Sequence, residues 1–278
     1  MCYYNGQKVT KAEFIQLMQL EKAVKDYEFL NRNVTHAFEF GNIAVLKPRY
    51  TRDNFDIVQM EWGFLPKYVK NRAQVEKFRK GYKKKDGTWQ KGYDTQNAKG
   101  EELLFPDKIY REAALERRCL ILSSGFYEWR HEYAINKRTG EKKKTADKYP
   151  HYIGVKDQPY FYVAGIWQPW TDQDTGETVE TVSLVTTEAN PLMAKIHNSK
   201  KRMPTILPDN LSWEWMMDDL PEDRITELAT FQLPQDLMEA CSVNKDFLKA
   251  EDPTVPFIYD ELVALDNPTP PAQPSLFS

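Results

Sequence analysis

The sequence has few cysteines and no long hydrophobic run, and each scarcity excludes a class of protein. No apolar stretch approaches about 18 residues, and no basic-then-apolar segment stands at the N-terminus, so we expect a cytoplasmic chain that does not span a membrane. The three cysteines, Cys2, Cys119 and Cys241, are odd in number and lie far apart, which argues against a disulfide framework and gives no zinc-binding spacing. We therefore predict neither disulfides nor a metal or other cofactor.

Charge is unevenly distributed along the chain. The formal net charge is −3, yet residues 67–148 hold 22 Lys and Arg against 12 Asp and Glu, whereas residues 209–266 hold 15 acidic residues against three basic ones. A local basic surface is typical of proteins that bind a phosphate backbone, although lysine runs such as 83–85 and 142–144 also occur in solvated loops. We expect the basic stretch to face nucleic acid and the acidic stretch to face away from it.

Aromatic residues are interleaved with these cations. The chain is 41% hydrophobic and 13% aromatic, so it can bury a substantial core and does not belong to the disordered class. The aromatic residues within the basic stretch include Tyr82, Trp89, Tyr93, Tyr127 and Trp129. Flat rings beside cations bind single-stranded DNA by stacking on its bases, so the pattern favours single-stranded DNA as the partner.

The hydrophobic pattern predicts an α+β fold. Thr10 and Glu13 resemble a capping box ahead of apolar residues at helical spacing, which predicts an amphipathic helix over 11–26. Segments rich in β-branched and aromatic residues predict strands at 36–46, 56–64, 119–129, 151–156, 159–167 and 179–187, and helices are expected at 108–117, 189–196, 210–217 and 222–230. Because strands and helices do not alternate regularly, we expect a mixed or antiparallel, barrel-like sheet with peripheral helices.

We expect one catalytic domain over residues 1–265. Two segments, 76–94 and 132–148, contain lysine and glycine, are weakly apolar and carry hairpin signals at Asp86-Gly87 and Thr139-Gly140, so they are predicted to be basic surface insertions. After Asp266 the chain reads NPTPPAQPSLFS, and this proline-rich composition predicts that residues 266–278 form an extended, flexible tail.

Cys2 follows the initiator methionine directly, so removal of Met1 would leave an α-amine and a thiol on one residue. This pair reacts with aldehydes, because the amine forms a Schiff base and the thiol then adds to the imine carbon to close a five-membered thiazolidine. With a pKa of about 8, an α-amine is also far less protonated at neutral pH than a lysine of pKa about 10.4. The alternative is that Cys2 is an unreactive thiol near the N-terminus.

Three further residues are candidates for the chemistry. Glu128 follows an apolar strand and stands between Tyr127 and Trp129, where an apolar pocket would raise its pKa and fit it for acid and base catalysis, or it is simply an exposed strand carboxylate. His197 follows a helical segment and can move protons, or it is structural. Asn97 lies in a loop, where asparagine is also a common turn residue.

These segments together resemble the SOS-response-associated peptidase (SRAP) family of abasic-site processing proteins, along most of residues 2–215. The matching pieces are Met1-Cys2, EWGFLP at 61–66, QNAKGEE at 96–102, SSGFYEW at 123–129, TTEAN at 186–190, and His197 followed by RMPTIL at 202–207. The resemblance rests on their shared order rather than on one motif.

The resemblance implies covalent capture of abasic sites in single-stranded DNA as a thiazolidine crosslink through Cys2. Glu128 would act as the acid and base, Asn97 would orient the Cys2 terminus or the sugar, and His197 would protonate the departing sugar oxygen. A lyase side activity and autoproteolytic removal of Met1 are also implied. Two alternatives stay open: an N-terminal-nucleophile amidohydrolase, and a noncovalent single-strand binding module in which Cys2 is incidental.

The family pattern also implies a set of DNA contacts. The family commonly begins Met-Cys-Gly-Arg, whereas this chain has Tyr3 and Tyr4, so another cation must replace the arginine at position 4. Arg49 and Arg202 are the candidates for that role. The remaining expected DNA contacts are Trp62 as a wedge or stacking ring, Lys99, Trp129, Lys200 and Lys201.

The chain ends with a short motif inside the proline-rich tail. Gln273, Leu276 and Phe277 resemble the peptide by which bacterial polymerases and repair proteins dock on the replication sliding clamp. Such an anchor would concentrate the enzyme at replication forks, in the nucleoid. The alternative is an ordinary proline-rich terminus.

Overall fold

The computed structural model describes residues 2–9, 14–17, 20–23, 27–135, 138–262 and 265. The helices are α1 (Arg72–Lys80), α2 (Arg111–Glu116), α3 (Pro191–Ile196), α4 (Asp209–Met217) and α5 (Glu222–Ala229). The strands, in chain order, are β1 (Tyr4–Lys8), β2 (Phe14–Leu17), β3 (Leu20–Ala23), β4 (Asn31–His36), β5 (Asn42–Pro48), β6 (Phe55–Trp62), β7 (Tyr82–Lys83), β8 (Trp89–Gln90), β9 (Asn97–Lys99), β10 (Arg118–Ser123), β11 (Gly125–Glu132), β12 (Asp147–Val155), β13 (Phe161–Thr171), β14 (Thr178–Glu188), β15 (Arg202–Pro204), β16 (Ile206–Leu207) and β17 (Met238–Ser242).

Five strands close into a barrel. β5 pairs antiparallel with β6, β6 pairs parallel with β14, and β14, β13, β10 and β5 then pair antiparallel in turn, so the ring returns to its first strand. β15, β16 and β9 extend this sheet, and a second, antiparallel sheet has the order β17-β12-β11-β1-β4. The expected α+β fold with a mixed, barrel-like sheet is confirmed.

Alternating side chains of the barrel strands contribute to two different cores. Ala44, Leu46, Leu120 and Leu122 pack in one core with residues of α2, α4 and α5, which we call the helix-side core. The intervening positions of the same strands are Ile43, Val45, Cys119 and Ile121, and they pack with Cys2 and with Phe126 of the second sheet in what we call the barrel-side core. A five-stranded barrel has no room for a helix, so the helix-side core lies on the outer face. The acidic helices α4 and α5 thus pack on the face of the barrel wall opposite to Cys2.

The prediction of a helix over residues 11–26 is wrong. Described residues of this segment form the antiparallel hairpin of β2 and β3, in which Phe14 pairs with Ala23 and Leu17 with Leu20. Ile15 and Leu17 are buried while Gln16 between them is exposed, a period of two that fits a strand. In so short a segment, the burial of alternate side chains in the helix-side core overrides the local helical spacing.

The insertion predicted at 76–94 contains a helix that the pattern did not predict. α1 begins after Asn71, whose Oδ1 accepts a hydrogen bond from the Gln74 amide at 3.0 Å, and it runs to Lys80. β7 and β8 follow as a hairpin that turns at Asp86-Gly87, as the sequence indicated. The segment 132–148 links β11 to β12, and the four peripheral helices lie close to their expected positions.

Candidate active site

Cys2 lies two residues before the start of β1. β1 pairs with β11 so that Asn5 is opposite Phe126, which brings the start of the chain alongside the segment that carries Glu128. The Cys2 side chain is buried, and its Sγ lies 3.7 Å from the Tyr4 carbonyl oxygen. Burial, and after it the negative charge of Glu128, raise the pKa of the Cys2 thiol well above its usual range. The thiol is therefore protonated at neutral pH.

Gly125 sets the start of β11 and hence the position of Glu128. Its φ is +157°, and a Cβ at this position would overlap the ring of Tyr152 on the neighbouring β12. The Tyr152 hydroxyl is held in place because it donates to the Ser124 carbonyl oxygen at 2.6 Å. The glycine of SSGFYEW thus allows close packing of β11 against β12 at the start of the strand that carries Glu128.

Glu128 is a buried carboxyl group in the middle of β11. It lies two residues after Phe126, on the same face of the strand, so it points toward the barrel-side core. Burial raises its pKa to about 8, and the positive charge of Lys200 opposes that rise. At neutral pH most of this carboxyl group is protonated, which makes it a proton donor.

His197 is positioned by a capped helix. The side chain of Asn190 caps α3 by accepting a hydrogen bond from the Met193 amide at 2.9 Å, and its Nδ2 donates to the Leu233 carbonyl oxygen at 2.7 Å. His197 follows the last residue of α3, and its Nδ1 lies 2.9 Å from the Arg202 carbonyl oxygen. Because that oxygen can only accept, Nδ1 carries the proton and Nε2 presents a lone pair.

Glu128 and His197 face each other across the site. The distance between Oε2 of Glu128 and Nε2 of His197 is 3.7 Å. That distance is compatible with a loose ion pair between charged groups. The pKa values point instead to two neutral groups, because burial raises the pKa of Glu128 to about 8 and lowers that of His197 to about 4. We favour the neutral pair, because each side chain is only 6% exposed and desolvation disfavours both charges. One pair thus supplies a proton donor and a proton acceptor.

Asn97 presents a buried amide to the same core. It starts β9 and lies opposite Leu184 in a parallel pairing, so its side chain points toward the core that contains Leu184 and Cys2. Neither Nδ2 nor Oδ1 of Asn97 forms a hydrogen bond within the described part of the chain, although the side chain is buried. An unsatisfied buried amide costs about 1–3 kcal/mol, which a polar ligand would recover.

His151 is a site residue that the sequence did not reveal. It lies directly opposite Glu128 in the pairing of β11 with β12, is buried, and its Nδ1 lies 3.0 Å from the Tyr149 carbonyl oxygen. Burial lowers the pKa of His151 to about 4, so it is neutral at neutral pH. Only the strand register makes it a neighbour of Glu128, and register is not readable from a single sequence.

The three expected cations that follow His197 differ in their surroundings. Lys200 and Lys201 follow His197 closely, are exposed, and form no ion pair with a carboxylate of the described residues. Arg202, in contrast, donates from both terminal nitrogens to Glu101 at 2.9 and 2.8 Å and to the Thr186 carbonyl oxygen at 2.6 Å. Its guanidinium is therefore engaged inside the protein, and Lys200 and Lys201 are better placed to meet phosphates.

Arg49 is not brought to the site. It follows β5 in the turn to β6, while Trp62 is at the far end of β6, roughly 20 Å away for strands of this length. Its guanidinium pairs with Asp56, with N–O distances of 2.8 to 3.2 Å. The structure thus separates Arg49 from Cys2.

The expected ring contacts also differ from one another. Trp62 is completely buried in the barrel-side core and its Nε1 donates to the Gln96 carbonyl oxygen at 3.0 Å, so it has no exposed face on which a base could stack. Tyr127 is likewise buried. Trp129 is half-buried, and Lys99 is 51% exposed with its Nζ 2.8 Å from Glu102.

Aromatic rings stand where the family pattern has an arginine. The Tyr4 ring stacks on His36 with centroids 4.3 Å apart and lies 4.8 Å from Trp129, and the Tyr3 ring lies 4.5 Å from Phe38. Burial, and after it the charges of Asp94 and Glu128, raise the pKa of the Tyr3 phenol. Position 4 therefore offers an aromatic surface and no positive charge.

The described ranges contain neither a membrane-spanning helix nor a cluster of metal ligands. No helix there is long and apolar enough to cross a membrane. In the same ranges, no group of three or more His, Cys, Asp or Glu side chains is arranged to hold a metal ion. The three cysteines are free thiols, and Gln273, Leu276 and Phe277 lie outside the described residues.

Comparison with known proteins decides the family. The model of the SOS response associated peptidase (SRAP) family matches residues 1–250. The chain belongs to the SRAP family. It is 30% identical over 158 residues to abasic site processing protein YoqW of Bacillus subtilis, a match that covers 57% of this chain and 56% of the relative. Abasic site processing protein YMR114C of Saccharomyces cerevisiae is 28% identical over 199 residues, 71% of this chain and 45% of the relative.

The SRAP fold is also found among solved structures. A protein of Bacteroides thetaiotaomicron, known by X-ray crystallography, superposes with a TM-score of 0.73 at 27% identity and covers 92% of this chain and 100% of that one. A protein of Bordetella bronchiseptica shares the fold at 18% identity with a TM-score of 0.59. The chain thus spans little more than half the length of the first SRAP relative and all of a solved one.

Proposed function

We propose that this SRAP protein captures abasic sites in single-stranded DNA by forming a covalent thiazolidine through Cys2 after Met1 has been removed. Its relatives are named abasic site processing proteins. The observation that carries the proposal is the buried Glu128–His197 pair beside Cys2, because imine chemistry needs an acid and a base at one place.

The reaction balances with the loss of one water molecule. The open-chain aldehyde of the abasic sugar adds the Cys2 α-amine to give a carbinolamine, which loses hydroxide together with a proton to give an imine. The Cys2 thiol then adds across the C=N bond, with sulfur bonding to carbon and the proton passing to nitrogen. No oxidant, metal or further reactant is needed.

The protonation states of Glu128 and His197 assign the acid role to one and the base role to the other. The resemblance to the family implied that His197 protonates the departing oxygen, but a pKa of about 4 leaves this imidazole neutral. Glu128, with a pKa of about 8, holds the proton that opens the sugar ring and expels water. His197 accepts through Nε2 the proton that the amine nitrogen loses as the imine forms. Asn97 binds a sugar or phosphate oxygen with its amide, which has no hydrogen-bond partner among the described residues.

Mass spectrometry tests the proposal directly. The protein is incubated with an abasic single-stranded oligonucleotide, and we expect a species with the combined mass less one water, stable without borohydride. Cys2→Ser keeps the amine and removes the thiol, so its adduct should require borohydride trapping. Cys119→Ala, which removes another buried thiol, is the matched control and should crosslink normally. A stable adduct with Cys2→Ser would contradict the thiazolidine.

The same experiment separates the alternative functions. A noncovalent single-strand binder would give no adduct and would bind equally well with Cys2→Ala. An N-terminal-nucleophile amidohydrolase would hydrolyse amides without DNA, and autoproteolytic removal of Met1 would appear as a time-dependent mass loss that Glu128→Gln abolishes. Lyase activity would appear as strand cleavage at the imine stage, and it should increase with Cys2→Ser because no thiazolidine removes the imine.

We also propose that the chain terminus docks on the replication sliding clamp. The proposal rests on the resemblance of Gln273, Leu276 and Phe277 to clamp-binding peptides. Full-length protein should bind a purified bacterial clamp, and deletion of residues 273–278 should abolish this binding while crosslinking stays unchanged. Equal clamp affinity of the two chains would overturn the idea.

A further inference from the structure

An exposed group of aromatic rings and lysines lies in the β7–β8 hairpin and in the segments that flank α1 and the hairpin. Tyr68, Tyr82, Trp89 and Tyr93 have exposures of 58%, 43%, 65% and 54%. Such large rings are ordinarily buried for a substantial part of their surface, so four in one segment indicate a surface that meets a partner. We call these four rings, together with Lys83, Lys84 and Lys85, the hairpin platform.

The rings rest on a fixed base. Tyr93 stacks on Phe78 with centroids 4.9 Å apart and an interplanar angle of 19°, and Tyr68 lies edge-on to Phe78 at 6.2 Å. Phe78 is itself buried in a small core with Leu65 and Trp170. One face of Tyr93 is thus held by the protein while the ring stays half exposed, the arrangement of a stacking ring that loses little entropy on binding.

The lysines of the platform carry unneutralised charge. Lys83 lies directly opposite Trp89 in the hairpin, so the cation and the ring share one face. The nearby carboxylate of Asp86 is occupied by Thr88, whose amide and hydroxyl donate to it at 2.9 and 2.6 Å. None of Lys83, Lys84 and Lys85 forms an ion pair with a carboxylate in the part of the chain that the structure describes.

The platform is continuous with the active site. From Tyr93 the chain passes to Asp94, whose charge acts on Tyr3, and reaches Asn97 three residues later. At its other end, Arg79 of α1 pairs with Glu61, the residue before the buried Trp62. A strand that enters the site at Cys2 would therefore leave along or near the platform.

We propose that the hairpin platform binds the single-stranded DNA that flanks the lesion, with its rings stacked on bases and its lysines on phosphates. Flat rings beside cations that have no carboxylate partner in the described ranges match a polymer that alternates aromatic bases with phosphates, and this alternation favours single-stranded DNA over an acidic peptide. The inference rests on the proposed function for the strand's identity, and it adds a second contact area outside the reacting centre.

Binding without crosslinking tests the platform. Fluorescence anisotropy is measured with a single-stranded oligonucleotide that carries a tetrahydrofuran analogue, which has no aldehyde. We expect Tyr82→Ala and Trp89→Ala to lower the affinity about tenfold each. The triple change of Lys83, Lys84 and Lys85 to Ala should reduce the slope of log affinity against log salt by about 2, at about 0.7 per phosphate contact.

Matched variants at other sites control for general effects. Tyr50→Ala removes a fully exposed ring in the β5–β6 turn, and changing Lys245 and Lys249 to Ala removes exposed positive charge from the acidic stretch 209–266. Platform variants that bind as well as wild type, or controls that lose as much, would overturn the proposal. So would loss of binding to phosphatidylserine vesicles with DNA affinity unchanged, which would assign the surface to membranes.

The outcome is separable from that of the proposed function. If wild-type protein forms the adduct but platform variants bind the analogue normally, only the platform is wrong. If no adduct forms and the platform variants still lose affinity, the thiazolidine proposal is wrong and the platform stands. Thermal unfolding by circular dichroism checks that each variant folds, which is expected because the changed side chains are exposed.

Discussion

Glu128 and His197, which face each other beside Cys2, show how burial can shift the pKa values of an acid and a base in opposite directions. Removal from water raises the pKa of the Glu128 carboxyl group and lowers that of the His197 imidazole, so the acid keeps its proton and the base stays free. The same desolvation acts on the Cys2 thiol, which remains protonated until chemistry requires it. Pairs of titratable groups with divergent pKa values are typical of active sites.

The pH dependence of crosslinking should report Glu128. The rate should rise as the Cys2 amine loses its proton and fall as Glu128 ionises near pH 8, which gives a bell-shaped profile. Glu128→Gln should slow the reaction by about 10²–10⁴-fold and abolish the alkaline fall. Glu132→Gln, further along β11, is the control and should retain the bell. A bell-shaped pH profile that persists in Glu128→Gln would show that another group is the catalytic acid.

Glu128 also links stability to pH. Because its folded-state pKa of about 8 lies above the ordinary carboxyl value, the folded protein binds more protons than the unfolded chain between those two values. The contribution of Glu128 to the free energy of unfolding should therefore be fully present below the ordinary carboxyl pKa and should be lost as pH rises through about 8. Urea denaturation of wild type and Glu128→Gln over pH 5 to about 9 measures this, and equal pH slopes would contradict it.

Lys200 and Arg202 should respond differently to substitution. Lys200→Ala removes an exposed cation that forms no ion pair with a carboxylate among the described residues, so it should reduce the salt slope of DNA binding by about 0.7 and leave stability unchanged. Arg202→Ala removes the partner of Glu101 and should cost about 1–3 kcal/mol of stability, since it leaves that carboxylate and the Thr186 carbonyl without their donor. Calorimetry and anisotropy distinguish the two, and a reversed pattern would restore Arg202 as the phosphate contact.

At the scale of elements, the sheet register is what assembles the site. β11 carries Glu128 between β1, which follows Cys2, and β12, which carries His151. α3 packs against β11 and delivers His197 from the far end of the sequence. Three strands and one helix thus converge on one carboxyl group.

Gly125 should be essential to this register. Gly125→Ala would place a methyl group against the fixed Tyr152 ring and strain a φ of +157°, so we expect a loss of about 1–3 kcal/mol in unfolding free energy. Gly41→Ala is the control, because no atom lies within 4 Å of its added Cβ, and it should change stability by less than about 0.5 kcal/mol. Comparable losses in chemical denaturation would show that Gly125 has no special role.

The sequence indicated most of the elements but not how they pair. Strong apolar runs predicted the barrel strands, and Asn190-Pro191 marked the start of α3. The hairpin of β2 and β3 was wrongly predicted as a helix. Which of its side chains are buried depends on the core against which the hairpin packs, and the local sequence pattern does not contain that information. α1 was missed because its apolar positions, Val75 and Phe78, are few among cations.

The candidate site was also predicted only in part from the sequence. The chemistry of Cys2, Glu128 and His197 was inferred from residue types and family motifs, and the 3.7 Å approach of Glu128 to His197 brings two of them together. Which cations and aromatic rings are accessible to DNA was harder to predict, because their accessibility depends on the side chains that contact them in the folded protein. Asp56 pairs with Arg49, and Trp62 is buried in the core, neither of which is apparent from a basic or aromatic residue type.

At the scale of the molecule, the distribution of charge should influence the approach to DNA more than the net charge does. The net charge is −3, yet residues 67–148 carry the basic excess, and the acidic helices α4 and α5 pack on the barrel face opposite to Cys2. Such a molecule should approach DNA in a preferred orientation despite its negative total.

Association kinetics should show this orientation. The rate constant for binding single-stranded DNA, measured by stopped flow, should fall steeply as ionic strength rises. Asp219→Asn and Asp223→Asn, exposed changes at α4–α5, should alter the rate little, because a charge more than a Debye length of about 8 Å from the strand is screened at physiological salt. A rate that is independent of salt would rule out electrostatic steering.

The buried thiol of Cys2 has one more consequence, which concerns survival of the protein rather than catalysis. Peroxides and alkylating agents consume cysteines as accessible thiolates, and Cys2 is neither accessible nor ionised. In the proposed function, the same burial would therefore keep the Cys2 thiol from being oxidised or alkylated before the protein meets an abasic site.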